Sequence, residues 1–93
     1  MKILILGAGQ VGSTAAYHLA REESNEVTII DSSPSVLREL QDRLDVRTVQ
    51  GHAASPGALE RAGAAEADMV IALTNSDEVN MIACQVAYTL FGT

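Results

Sequence analysis

Hydrophobic residues in this chain form short continuous runs that alternate with longer stretches in which apolar side chains recur at helical spacing. A continuous apolar run is typical of a strand buried on both faces of a parallel sheet. Four runs predict four strands, at residues 2–6, 26–30, 46–50 and 68–73. The third run is the least apolar and is expected at a sheet edge, whereas the strongly apolar fourth is expected to be central.

The stretches between the runs predict four helices. The first extends from residue 10 to about residue 23, with a packed face of Val11, Ala15, Leu19 and Ala20. Ser33-Pro34 and Ser55-Pro56 each indicate an N-cap followed by proline at the first helical position. The fourth helix follows a polar loop, and its apolar face comprises Val79, Ile82, Ala83, Val86, Ala87 and Leu90, with Cys84 as buried filler.

Strands that alternate with helices favour right-handed crossovers and a parallel sheet with helices on both faces. The sequence therefore predicts a Rossmann-like, doubly wound α/β domain over residues 1–93, with strand order 3-2-1-4. A six-stranded fold of this kind has two further strands. We therefore expect the chain to be truncated before further strands, as the N-terminal fragment of a longer subunit.

The most informative motif is a glycine pattern directly after the first strand, formed by Gly7, Gly9 and Gly12. This spacing between a strand and a helix is the fingerprint of dinucleotide binding. Gly7 permits a tight turn, Gly9 lets the backbone approach a pyrophosphate, and Gly12 lets the helix pack closely. The amides of Gln10, Val11 and Gly12 are predicted to face the phosphates at the positive end of the helix.

An acidic residue at the end of the second strand extends the fingerprint. Asp31 lies 19 positions after Gly12, close to the spacing expected for a carboxylate that binds a ribose. It would repel a 2′-phosphate, and Ser32 beside it supplies no cation, so NAD is favoured over NADP. ATP and ADP carry the same ribose hydroxyls and stay possible. The structural alternative, that Asp31 only caps the next helix, is weaker because Ser33 fills that role.

Two further loops follow the third and fourth strands and should meet the glycine loop at the carboxyl ends of the sheet. Gly51 and Ala53 would form a thin wall beside an adenine, and His52 would stack, form a hydrogen bond, or simply face solvent. In the next loop, the polar residues that would approach the nicotinamide half, or merely cap the last helix, are Thr74, Asn75, Asp77 and Asn80.

Composition narrows the classes of function. The net charge is −6 and the sequence has no basic cluster, which argues against nucleic-acid binding. No run approaches the ~20 apolar residues of a membrane span, so we expect a cytoplasmic protein with no direct membrane insertion. Two histidines and one cysteine at unrelated spacings suggest no metal site. The sequence offers no nucleophile–base pair, although the cofactor half of an NAD-dependent dehydrogenase stays possible.

Taken together, these segments resemble the N-terminal nucleotide-binding module of the RCK/KTN family. The resemblance covers essentially the whole chain, and its most specific part is a Thr-x-x-Asp-Glu-x-Asn signature after the fourth strand, from Thr74 to Asn80. Many members carry Gly-Asp-Ala after the third strand. This chain has Gly51-His52-Ala53 there and so departs from the family pattern at His52.

The resemblance implies a regulatory function rather than an enzymatic one. Members bind NAD(H) or adenine nucleotides, and binding shifts their conformation and thereby the K⁺ flux through a membrane partner. It further implies a potassium transporter subunit as partner, a homo-oligomer in the full-length protein, and a location peripheral to the inner face of the cell membrane.

Overall fold

The computed structural model describes residues 1–74 and 76–92, without the side chains of Asp77, Glu78 and Phe91. Strands and helices alternate along this part of the chain, and a short 3₁₀ helix, Ala64–Glu66, precedes the last strand. Their bounds are β1 Lys2–Leu6, α1 Gln10–Ala20, β2 Glu26–Asp31, α2 Pro34–Arg43, β3 Arg47–Gln50, α3 Pro56–Arg61, β4 Met69–Ala72 and α4 Asp77–Phe91. The strands are parallel in the order β3-β2-β1-β4, which confirms the predicted topology.

Two apolar layers form the core, one on each face of the sheet. Alternate residues of β1 point to opposite faces, and both sets are buried because helices cover both faces. Ile3 and Ile5 pack with α1 and α2 on one face, and Leu4 and Leu6 pack with α3 and α4 on the other. This burial explains why β1 is a continuous apolar run.

The predicted helix and strand boundaries need small corrections. Helix α1 ends at Ala20, not near residue 23, because the Asn25 side chain donates from Nδ2 to the Leu19 carbonyl at 3.0 Å and closes the helix end. Strand β4 is shorter than predicted, although Asp68 and Leu73 still donate backbone hydrogen bonds to β1 at either end of it. Within the described residues β4 pairs with β1 alone and so lies at the sheet edge, not at its centre.

The packed faces of two helices also differ from the prediction. Val11 is 65% exposed, because α1 approaches the sheet through the small residues Gly12 and Ala16. On α4 the buried residues are Ala83 and Ala87, so the predictions for three neighbouring apolar side chains are wrong. The side chains that are exposed instead are Ile82, Cys84 and Leu90.

Candidate nucleotide site

Two of the three motif glycines are required by the fold itself. Gly7 has a φ of +109°, and a Cβ there would lie 2.8 Å from the Leu73 carbonyl oxygen and 2.9 Å from the Thr74 nitrogen. A Cβ at Gly12 would lie only 2.0 Å from the Gly7 carbonyl oxygen. Gly7 therefore lets the loop after β4 approach β1, and Gly12 lets α1 begin directly above the turn.

Gly9 differs from the other two because nothing inside the protein needs its missing side chain. It caps α1 with a φ of −69°, which any residue can adopt, and a Cβ there would meet no atom within 4 Å. The first amides of a helix have no acceptor within it, and Gln10 and Val11 beside Gly9 are exposed. The open space at Gly9 thus lies against free donors at the positive end of α1.

The Asp31 carboxylate connects the glycine loop to the start of α2. Its Oδ1 accepts the Ala8 N–H and its Oδ2 accepts the Ser33 N–H, both at 2.9 Å. Ser33 Oγ caps α2 by accepting the Val36 N–H at 3.5 Å, as predicted. Each carboxylate oxygen has two lone pairs, so these bonds orient Asp31 and leave it able to accept from a ligand.

The contact from Asp31 to Ala8 was missed by sequence reasoning, although strand pairing contains a signal for it. Leu6 of β1 lies opposite Ile30 of β2, so the residues that follow them are neighbours. A polar residue at the carboxyl end of the second strand, such as Asp31, is therefore beside the glycine loop in any sheet of this register.

The loop after β3 meets the same region. A Cβ on Gly51 would lie 2.7 Å from the Ala58 Cβ, so this glycine serves the packing of α3. Ala53 is buried in the core on that face of the sheet. His52 is exposed, and its Nδ1 accepts the Ala54 N–H at 3.1 Å.

The loop after β4 is closed by its own side chains. Thr74 Oγ1 accepts the Ser76 N–H at 3.2 Å, and Ser76 Oγ caps α4 by accepting the Val79 N–H at 3.2 Å. Asn80, whose side chain sequence reasoning left open between ligand and cap, bonds to Thr74. The predicted contacts of Asn75 and of the Asp77 side chain lie outside the described residues.

These loops surround one cavity of about 180 Å³ at the carboxyl ends of the strands. Seven predicted site residues line it, and they are Gly7, Asp31, Ser32, Gly51, His52, Ala53 and Thr74. Gly9, Gln10, Val11 and Gly12 lie outside its lining. Typical pockets for small molecules measure about 300–1,000 Å³, so this cavity is smaller than a typical small-molecule pocket. Among its described lining residues none is Lys or Arg.

Other candidate groups lie away from this cavity. His18 is exposed and its ring lies edge-on to Tyr17, consistent with a surface residue. In the part of the chain that the structure describes, no three His, Cys, Asp or Glu side chains come together as metal ligands would. None of the described helices is both long and apolar enough to cross a membrane.

Sequence comparison relates this chain to one family of proteins. A model of the TrkA-N domain family matches residues 3–93. The chain is 63% identical over 93 residues to the Trk system potassium uptake protein TrkA of Halomonas elongata, and the match covers all of this chain and 20% of that protein. The chain therefore spans about one-fifth of the length of such curated relatives.

Solved structures show the same fold. The TrkA-N domain of the Escherichia coli inner membrane protein YbaL superposes with a TM-score of 0.81 at 27% identity, over 95% of this chain and 64% of that one. The C-terminal domain of Shewanella denitrificans Kef in an AMP-bound form gives a TM-score of 0.84 at 23% identity, over 99% of this chain and 54% of that one.

Proposed function

The chain belongs to the TrkA-N domain family, and on that premise we propose that it is a nucleotide-binding regulatory module of a potassium uptake system. We infer NAD(H) as its ligand, with the adenosine end in the cavity and the pyrophosphate at Gly9 and the start of α1. Binding would control K⁺ flux through a membrane partner. The chain itself would carry out no chemistry on the nucleotide.

The observation that carries this proposal is the contrast between the glycines. A Cβ added at Gly7 or Gly12 would come within 3 Å of backbone atoms, which explains both glycines by the fold, whereas a Cβ at Gly9 would meet nothing within 4 Å. A ligand that approaches the backbone closely supplies the missing reason for glycine at that position. Phosphate fits, because the free amides and the helix dipole there both favour an anion.

The choice of NAD(H) over NADP(H) depends on charge. Asp31 lies at the cavity with its carboxylate already oriented by Ala8 and Ser33. Hydrogen bonds from ribose hydroxyls would stabilise it further, whereas a 2′-phosphate would bring a second anion beside it. ATP, ADP and AMP share the adenosine and are the competing ligands, and the Kef neighbour contains AMP.

The potassium function is proposed from the relatives. The curated proteins at 63% and 59% identity are named as Trk system potassium uptake proteins, and this chain covers one-fifth of each. A module of this kind would act as a cytoplasmic, peripheral subunit. It would assemble as a homo-oligomer and would contact a membrane-embedded potassium transporter subunit.

Titration with nucleotides tests the proposal. NADH, ATP, ADP and AMP would each be added to the full chain in a calorimeter, and we expect NADH to bind. In Asp31→Ala the affinity for NADH should fall by about tenfold or more, because a hydrogen bond to a charged group contributes roughly 1.5–3 kcal/mol. K⁺ uptake by cells that carry this variant should respond less to the NADH level. Failure of all four nucleotides to bind would contradict the proposal.

A further inference from the structure

Asn80, in the first turn of α4, holds the residue at the start of the loop before it. Its Oδ1 accepts the Thr74 N–H at 2.9 Å, and its Nδ2 donates to the Thr74 carbonyl at 3.1 Å. The Thr74 hydroxyl also donates to Oδ1. One partly buried side chain thereby satisfies the backbone N–H, the backbone carbonyl and the hydroxyl of a single residue.

Thr74 is the point at which the two central parts of the site touch. Its nitrogen lies where a Cβ on Gly7 would come within 2.9 Å, so the Thr74 backbone rests directly on the glycine loop. Thr74 and Gly7 both line the cavity, and Asn80 does not. Within this cavity, the contact of Asn80 with the wall is therefore its set of bonds to Thr74.

Helix capping does not account for these bonds. Ser76 already caps α4 through its Oγ, and the Asn80 backbone N–H makes an ordinary helical bond to the Ser76 carbonyl at 3.0 Å. Asparagine inside a helix is less favourable than alanine, because its side chain competes for backbone groups. The side chain of Asn80 therefore stabilises the loop before α4 and not the helix itself.

We propose that Asn80 is a positioning residue for nucleotide binding, which fixes the cavity wall at Thr74 against Gly7 before the ligand arrives. This inference rests on the proposed function. A wall held in its bound conformation lowers the ordering cost of binding. Without Asn80 the loop would keep its helix cap and the bonds between the Thr74 hydroxyl and Ser76, but it would lose the two side-chain bonds to the Thr74 backbone.

Two variants test this inference. Asn80→Ala removes all three contacts, and we expect the Kd for NADH to rise about tenfold. Asn80→Asp keeps the acceptor for the Thr74 N–H but places a carboxylate oxygen against the Thr74 carbonyl oxygen, so its Kd should also rise. Amide hydrogen exchange at Thr74 in the free protein should accelerate in both variants.

Ser55→Ala is the matched control for stability. It removes the N-cap of α3, where Ser55 Oγ accepts the Ala58 N–H, and Ser55 does not line the cavity. This variant should have a lower melting temperature with an unchanged Kd for NADH. All affinities are measured well below the melting temperatures, so that the folded fraction is not limiting.

The outcomes separate the two proposals. If the unsubstituted chain binds NADH and Asn80→Ala binds it equally well, the positioning function is wrong and the proposed function stands. If the unsubstituted chain binds none of NADH, ATP, ADP and AMP, both fail. Should Asn80→Ala not fold, Asn80→Asp decides alone: an unchanged Kd together with faster exchange at Thr74 would contradict the inference.

Discussion

The two ends of the sheet differ in what surrounds them. The amino ends border a groove of about 740 Å³ whose lining carries both signs of charge, including Lys2, Glu26, Arg47 and Glu66. The carboxyl ends border a cavity of only about 180 Å³. All four helices begin at the carboxyl end, so the positive ends of their dipoles are directed there.

The two ends of the sheet also differ in how closely other atoms pack against their glycines. At the carboxyl end, Gly7 lets the loop after β4 approach β1, Gly12 lets α1 begin at the turn, and Asp31 bonds to Ala8 of another loop. The amino end also has a bond between segments, since the Asp68 carboxylate accepts the Lys2 N–H at 2.7 Å. Gly63, with a φ of +83°, joins α3 to the 3₁₀ helix there, and a Cβ on it would meet nothing nearer than 3.8 Å. We therefore base the proposed ligand site on the close packing of the glycine loop and not on cavity volume.

The largest expected effect is at Gly12. In Gly12→Ala the new Cβ would clash with the Gly7 carbonyl oxygen at 2.0 Å, which only a backbone shift can relieve. The free energy of unfolding should fall by about 3 kcal/mol or more, as measured by urea denaturation. A fall below about 0.5 kcal/mol would show that the close approach of α1 to the turn is not a constraint.

The second largest expected effect is the difference in affinity between NADH and NADPH. NADPH should bind at least about tenfold more weakly than NADH, because its 2′-phosphate would lie beside the Asp31 carboxylate with no Lys or Arg among the described cavity residues. In Asp31→Ala the two affinities should approach each other in parallel titrations. Equal affinities in the unsubstituted chain would remove the specificity that we assign to Asp31.

A smaller effect is expected at Gly9, and it separates ligand contact from folding. Gly9→Ala places a Cβ in open space at a φ that alanine adopts, so stability should change by less than about 1 kcal/mol. The affinity for NADH should nevertheless fall by about tenfold. Gly12→Ala is the matched substitution in the same loop, since it adds the same methyl group but should lower stability. An unchanged affinity for NADH in Gly9→Ala would contradict the proposed position of the pyrophosphate at Gly9.

The smallest effect on stability and on NADH affinity is expected at the amino end of the sheet. Glu66 is exposed and lines the larger groove. Glu66→Gln should change the free energy of unfolding by less than about 0.5 kcal/mol and leave the titration with NADH unaltered. A clear change of affinity in either direction would indicate that the amino-end groove, not the cavity, takes the nucleotide.

The sequence predicted the fold well because the apolar runs and glycines carry most of its information. Strand order 3-2-1-4 follows from the alternation of strands and helices, which the pattern shows, together with the general right-handedness of crossovers in parallel sheets. The buried faces of the helices were harder to predict from the sequence. In α4, apolar residues such as Ile82 and Cys84 stand next to the small residues that are actually buried, so helical spacing alone did not identify the face.

The candidate site was predictable as a set of loops but not as a set of contacts. Parallel topology brings the four loops together, as their motifs indicated. The contact of Asp31 with Ala8 could have been inferred from the register of β1 and β2. The reason for Gly51 lies in its distance to Ala58, and the bonds of Asn80 to Thr74 depend on the path of the loop between them. These two reasons depend on distances that spacing along the chain does not contain.

Mapping the NADH site by NMR tests the central claim most directly. Two-dimensional amide spectra of the ¹⁵N-labelled chain would be recorded during titration with NADH. We predict that shifts will change at residues 7–12, 31–33 and 51–53 and at Thr74, with the amides around the amino-end groove unmoved. Changes concentrated at residues 62–67 and 23–28, or no changes at saturating NADH, would contradict the account.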